Sequence, residues 1–194
     1  MLFRSSGNVT VLNTLTSGTA QILNGGSATN PGYVDLNGAT RTFTIFDGSA
    51  STDMLISAPI VGNASAGLTK DGAGTLELSA ANTYLGTTTV NAGQLLVNAS
   101  GSLASGNNLT VNNSGVATFN NSQTLGTVNV NNSGTVSFNG ATGAVATLNG
   151  ASASATVTLG SGTVLTVSSG SFAGAIVGPT GSLTKNTEIG RAHV

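Results

Sequence analysis

The stretch LTKDGAGTLELSAANTYLGTTTVNAGQLLV, Leu68 to Val97, decides how the rest of the chain is read. It holds four short strand-like runs, at Gly67 to Lys70, Thr75 to Ser79, Thr87 to Val90 and Gln94 to Asn98, parted by Gly, Asn and Ala-Gly turn signals. Within them Leu76 and Leu78, then Leu95 and Val97, alternate with residues that can face the other way. Each run therefore offers one apolar face to a core. A unit this short cannot bury that face alone and must stack on units like itself, which predicts a solenoid rather than a globule.

The order Leu68, Lys70, Gly72, Gly74, Leu76, Leu78, then Ala81-Asn82-Thr83-Tyr84, Gly86, Thr88, Val90, Gly93 and Leu95 resembles the autotransporter-associated β-strand repeat, also called the passenger-associated transport repeat. The resemblance covers one copy of about 30 residues. It implies the passenger of a large bacterial surface or secreted protein, built as a right-handed parallel β-helix and exported through an outer-membrane barrel of a Gram-negative-type cell. It further implies that the repeat assists passenger secretion and folding, and that no catalytic residue lies within it. The partners expected on this basis are neighbouring coils of the same chain, the translocation barrel, and a host or environmental glycan or surface.

Composition agrees with an all-β reading. Only 6% of the 194 residues are charged, 28 are Gly and none is Cys or Trp, whereas ordinary soluble domains are about a quarter charged. A hydrophobic fraction of 39%, rich in Val and Leu, separates the chain from disordered low-complexity sequence. The net charge of -1 gives no electrostatic footprint for nucleic acid or an anionic membrane. Without cysteine there is no disulfide framework and no thiolate metal site, a composition compatible with export.

Both ends call for separate treatment. Met1-Leu2-Phe3-Arg4-Ser5 can be encoded GTG CTC TTC CGA TCT, with GTG as the start codon, and Glu188 to Val194 can be encoded GAG ATC GGA AGA GCA CAC GTC. These strings are reverse complements over their shared length and resemble a sequencing-library adapter. We therefore expect 1–5 and 188–194 to be adapter-derived, with 6–187 an internal solenoid segment. The only histidine, His193, falls in that tail with Glu188 and Arg191.

Upstream of the repeat, Asn8 to Leu12 and Thr19 to Leu23 are strand candidates. After them Val34 and Leu36, Phe43 and Ile45, and Leu55 alternate over successive runs. Asp47, Asp53 and Asp71 invite a calcium reading, but the GGxGxD pattern is absent, and they are expected to be solvated turn residues, with Asp53 alternatively capping the following strand. Lys70 and Asp71 are expected on the polar side of a tight turn. Gly72-Ala73-Gly74 is too short to cradle phosphate and precedes no helix.

Downstream, in 98–169, a period of about 19 residues emerges. LTVNNSGVATFN, Leu109 to Asn120, aligns with VNVNNSGTVSFN, Val128 to Asn139. Coils of about 19 to 22 residues follow, with Val111 over Val130 as a core ladder and Asn112-Asn113 over Asn131-Asn132 as turn ladders, Gly115 and Gly134 taking positive φ. Ala155 to Leu159 supplies a further strand, and Leu148 and Val167 extend the same spacing. In 170–187, Ile176-Val177-Gly178 and Leu183-Thr184-Lys185 echo Ile60-Val61-Gly62 and Leu68-Thr69-Lys70, as though a second repeat were starting.

No Asp, Glu, Lys, Arg, His or Cys lies between Glu77 and Lys185. Glycosidases need two carboxylates, and serine nucleophiles need a base. The sequence therefore predicts a non-catalytic structural segment, with no metal or cofactor residues. Two alternatives are an adhesin using exposed Asn/Thr or aromatic patches on one flat face, and a polysaccharide-active enzyme whose catalysis lies elsewhere in a longer chain.

Overall fold

The computed structural model describes residues 2–4, 7–11, 18–25 and 32–185. Among them every regular element is a β-strand and every pairing is parallel, so the chain winds as a β-solenoid. Nine strands form one long sheet, eight form a second, and three short strands, Leu2–Arg4, Tyr33–Asp35 and Ile60–Val61, make a third at the N-terminal end. The composition favours this outcome because Val, Thr and Leu suit a pleated, half-buried surface, while Gly and Asn supply the corners.

The core consists of ladders. In the eight-stranded sheet one inward column runs Met54, Leu76, Leu95, Ala117, Val136, Val157 and Ile176. The next runs Ile56, Leu78, Val97, Phe119, Phe138 and Leu159, with the two phenyl rings stacked at 5.5 Å. The nine-stranded sheet faces them with Leu68, Thr88, Leu109, Val128 and Leu148. All these residues are buried. Alternation along each strand thus delivers aliphatic side chains inward at every rung, about 4.8 Å apart.

Steps between register partners are 20 residues from Leu68 to Thr88, 21 to Leu109, 19 to Val128 and 20 to Leu148, within the expected coil size. The coil before the repeat is longer, 27 residues from Arg41 to Leu68. It carries the extra strand Ile60–Val61 and the turn that follows, and the step before it is longer still, 34 residues from Val9 to Phe43, so the 19 to 22 residue expectation fails in both N-terminal coils. The four strands expected within 68–97 are present as Leu68–Asp71, Thr75–Leu78, Thr88–Val90 and Gln94–Val97. Thr156–Leu159 is the strand expected near Ala155, and Val9–Val11 and Ala20–Ile22 lie within the two upstream candidates, of which Leu12 is outside the described residues.

Two expectations from the downstream period need correction. Leu148 pairs with Val128, and Val167 pairs with Val145, so Leu148 and Val167 do not share a column. The long strands Gln123–Val130 and Thr142–Asn149 each span two adjoining segments of one sheet, which lets two columns mimic one period. Positive φ falls on Asn113 (48°) and Asn132 (54°) and not on Gly115 and Gly134. Those glycines are required by proximity: a Cβ on either would sit 2.8 Å from the carbonyl oxygen of Val90 or Val111 in the preceding coil.

The C-terminal echo also places its residues differently. Ile176 pairs with Val157 in the eight-stranded sheet, whereas Ile60 pairs with Val34 in the three-stranded one. Lys185 is exposed and pairs with Val167. Residues 186–194, which include His193, Arg191 and Glu188, lie outside the described residues, as do 1, 5 and 6.

Candidate functional site

Three of the seven buried polar side chains among the described residues, Lys70, Asn82 and Thr88, lie in 68–97, and two more, Asp53 and Asn107, bond to that segment. Lys70 occupies an inward position between Phe43 and Val90 and is 0% exposed, so it is not the polar side of a turn. Strand parity carries its side chain into the core, and the stem is long enough for Nζ to reach the corner. There Nζ donates to the carbonyls of Asp71 (2.8 Å), Gly72 (2.6 Å) and Ala92 (3.1 Å). Three donors meet three acceptors, so one ammonium ties together the corner of its own coil and that of the next. Desolvation lowers its pKa to about 8, outweighing the attraction of Asp71 and Asp53.

Asp53 is likewise buried, contrary to the solvated-turn expectation. Its carboxylate accepts from Gly48 N at 2.9 Å and from Thr75 N at 2.8 Å, capping the strand Thr75–Leu78. Asp71 accepts from Gly72 N at 2.9 Å, and Asp47 is exposed. Gly72 has φ +75°, and a Cβ there would lie 2.4 Å from the Ile45 carbonyl oxygen, so both backbone conformation and proximity demand glycine. Gly74, Gly86 and Gly93 likewise press against backbone of the coil before, leaving no room for a Cβ.

A second network crosses from the repeat to the coil that follows. Tyr84 is fully buried, and its hydroxyl lies 2.7 Å from Thr88 Oγ1. Thr88 Oγ1 donates to Asn107 Oδ1 at 2.8 Å, so the Tyr84 hydroxyl must donate to Thr88. Asn107 Nδ2 closes the chain on the Gly86 carbonyl at 2.8 Å. Burial pushes the Tyr84 phenol far above its ordinary range, with the Thr88 contact opposing that shift. Thr88 occupies a column otherwise filled by Leu68, Leu109 and Val128, and this network is what satisfies it there.

Asn82 performs the same service on the third side. Its Oδ1 accepts from Ile60 N at 2.9 Å, while Nδ2 donates to the carbonyls of Ala80 and Ser102. Thr83 contributes through its backbone, N donating to the Ile60 carbonyl at 2.9 Å, with its side chain exposed. Leu68, Leu76, Leu78 and Leu95 are buried as expected. Sequence reasoning missed Asn107 and the inward role of Thr88. Parity held the clue, since both share the inward alternation of Val90, Leu109 and Val111.

Lys70, Asp53, Asn82, Thr88 and Asn107 each bond backbone or side chains of an adjacent coil. The family comparison selects the same segment: the passenger-associated transport repeat model matches residues 68–97. That match covers 30 of the 194 residues. No curated protein and no solved structure gives a significant match to the chain. The match suggests an autotransporter passenger context, a family whose setting is the surface or exterior of Gram-negative bacteria. Within the described residues the repeat is continuous with its neighbours, pairing with Arg41–Ile45 and Met54–Ile56 on one side and Asn107–Val111 and Val116–Phe119 on the other.

Proposed function

We propose that this chain is a non-catalytic structural segment of an autotransporter-like passenger, and that the transport repeat assists its secretion by forming a stable coil onto which neighbouring coils fold. The observation that carries this reading is the satisfaction of buried polar groups across coil boundaries: Lys70 on the Ala92 carbonyl, Thr88 on Asn107 and Asn82 on Ile60 and Ser102. Each bond is complete only when two coils are stacked, so ordering one coil favours the next. Export through a barrel needs an unfolded chain on one side and rapid, self-propagating folding on the other, and a strongly cross-tied coil suits that task.

The non-catalytic reading rests on how the ionisable groups are employed. Lys70, Asp53 and Asp71 hold backbone groups, and Glu77 accepts from Thr52 Oγ1 at 2.9 Å and from Asn98 Nδ2. The test is a register-preserving deletion of residues 68–87 in the full-length passenger, which joins the chain where Leu68 and Thr88 are partners. Surface display should fall sharply while unfolded passenger accumulates behind the membrane. Undiminished display would overturn the transport role.

A further inference from the structure

Two ladders of side-chain amides run along one corner of the solenoid. In the first, Asn112 Nδ2 donates to Asn91 Oδ1 at 3.0 Å and Asn131 Nδ2 to Asn112 Oδ1 at 2.9 Å. In the second, Asn132 Nδ2 donates to Asn113 Oδ1 at 3.1 Å. A planar amide that turns its nitrogen toward one coil turns its oxygen toward the other. Asn131 and Asn132 therefore both aim Oδ1 at the following coil.

That coil has no partner for them. Asn129 pairs with Asn149, so Asn131 and Asn132 look onto Ala151, which has no side-chain donor, and Ser152, whose Oγ accepts from Ser154 N at 3.2 Å and makes no bond to either amide oxygen among the described residues. The following turn is also one residue longer, because Asn129 and Thr135 pair with Asn149 and Thr156. The result is a notch of about 500 Å³ lined by Asn112, Asn131, Asn132, Ala151 and Ser152.

We infer that this notch binds adjacent hydroxyls of a neutral saccharide, a role beyond the structural function proposed above. Two amide oxygens of consecutive residues lining one notch call for two donors, which the vicinal hydroxyls of a sugar supply. The Ala151 methyl offers an apolar spot for a sugar C–H face. Between Glu77 and Lys185 no side chain is charged, so nothing there would select an anionic or cationic ligand. The outward residues Thr89 and Thr110, register partners two positions before Asn91 and Asn112, make no side-chain hydrogen bond among the described residues and extend the polar face for further sugar units.

The test is saturation-transfer NMR on the whole chain with cellohexaose, maltohexaose and chitohexaose, a heparin hexasaccharide as the anionic comparison, and calcium or EDTA added in parallel. Transfer from at least one neutral oligosaccharide, unchanged by EDTA, is expected. Ala151→Asn adds the missing rung and fills the notch, and Asn132→Gly removes one oxygen while accommodating the positive φ. Each should weaken binding at least about tenfold, equivalent to about 1.4 kcal/mol, with thermal unfolding of Ala151→Asn undiminished. No transfer from any neutral sugar, equal binding by Ala151→Asn and Asn132→Gly, a requirement for calcium, or binding of heparin alone would each overturn the inference.

Discussion

Lys70 pairs with Val90 in the parallel register, so a charged side chain fills the inward place where the next two coils put valine. Its ammonium is tolerated there because three carbonyls surround it. Replacing Lys70 with Met keeps the packing stem but strips those carbonyls of their donor, and should cost about 1–3 kcal/mol in urea unfolding. A variant as stable as the parent would show that the carbonyls find water instead.

The same residue sets a pH dependence with a definite sign. Its folded pKa of about 8 lies below the ordinary 10.5, so between those values the unfolded chain holds a proton that the folded chain has released, and stability rises with pH. Tyr84 acts oppositely. Burial raises its phenol above the ordinary 10.0, so beyond about pH 10 the unfolded chain ionises where the folded chain does not, and stability falls. Urea midpoints measured across this range should peak near pH 10. Lys70→Met should remove the rise and Tyr84→Phe the fall.

The ordered donation from Tyr84 to Thr88 to Asn107 predicts coupling. Thr88→Val leaves the Tyr84 hydroxyl without its acceptor and Asn107 Oδ1 without its donor, and should cost about 1–3 kcal/mol. Tyr84→Phe removes one end of the same chain. The double variant should therefore lose less than the sum of the two, by about 0.5–3 kcal/mol in a double-mutant cycle. Simple additivity would mean that the two hydroxyls act independently.

What could be read from the sequence, and what could not, follows from where each feature is encoded. Strand alternation at Leu76 and Leu78 and the Val111–Val130 spacing are local patterns, and both translate directly into ladders. The fold and the family segment were legible for that reason. Lys70 was misplaced because a charged residue beside Asp-Gly looks like a turn, although its parity with Leu68 already pointed inward. Asp53 was misplaced because its acceptor role depends on Thr75, a residue of the next coil. The longer N-terminal coil is not legible because its echo in the sequence, 176–185, repeats only the part from Ile60 to Lys70.

The Asn-Asn-Ser-Gly corners separate backbone conformation from crowding. Asn113 has φ 48°, so Asn113→Ala should cost about 1–2 kcal/mol, while Asn113→Gly should be better tolerated even though it forfeits the amide contact to Asn132. Gly115 has no such φ, yet Gly115→Ala would drive a Cβ to 2.8 Å from the Val90 carbonyl oxygen. That substitution should destabilise by about 1–3 kcal/mol through overpacking. Equal tolerance of Ala at both positions in thermal melts would contradict the assignment.

Leu76 lies between Met54 and Leu95 in the inward column and is 0% exposed, which makes it the cleanest probe of whether the repeat's core drives export. Leu76→Ala leaves a cavity that ladder packing above and below cannot close, and should cost about 2–5 kcal/mol. Asp71→Asn keeps an oxygen for Gly72 N and should change stability by less than about 0.5 kcal/mol. If the transport repeat works by ordering its neighbours, the two variants must diverge in the full-length passenger: Leu76→Ala should slow its appearance at the cell surface, and Asp71→Asn should match the parent. Pulse-labelled surface proteolysis measures both. Equal display of Leu76→Ala and parent would separate core stability from secretion, whereas a severe defect in Asp71→Asn would point to a cation held by its carboxylate.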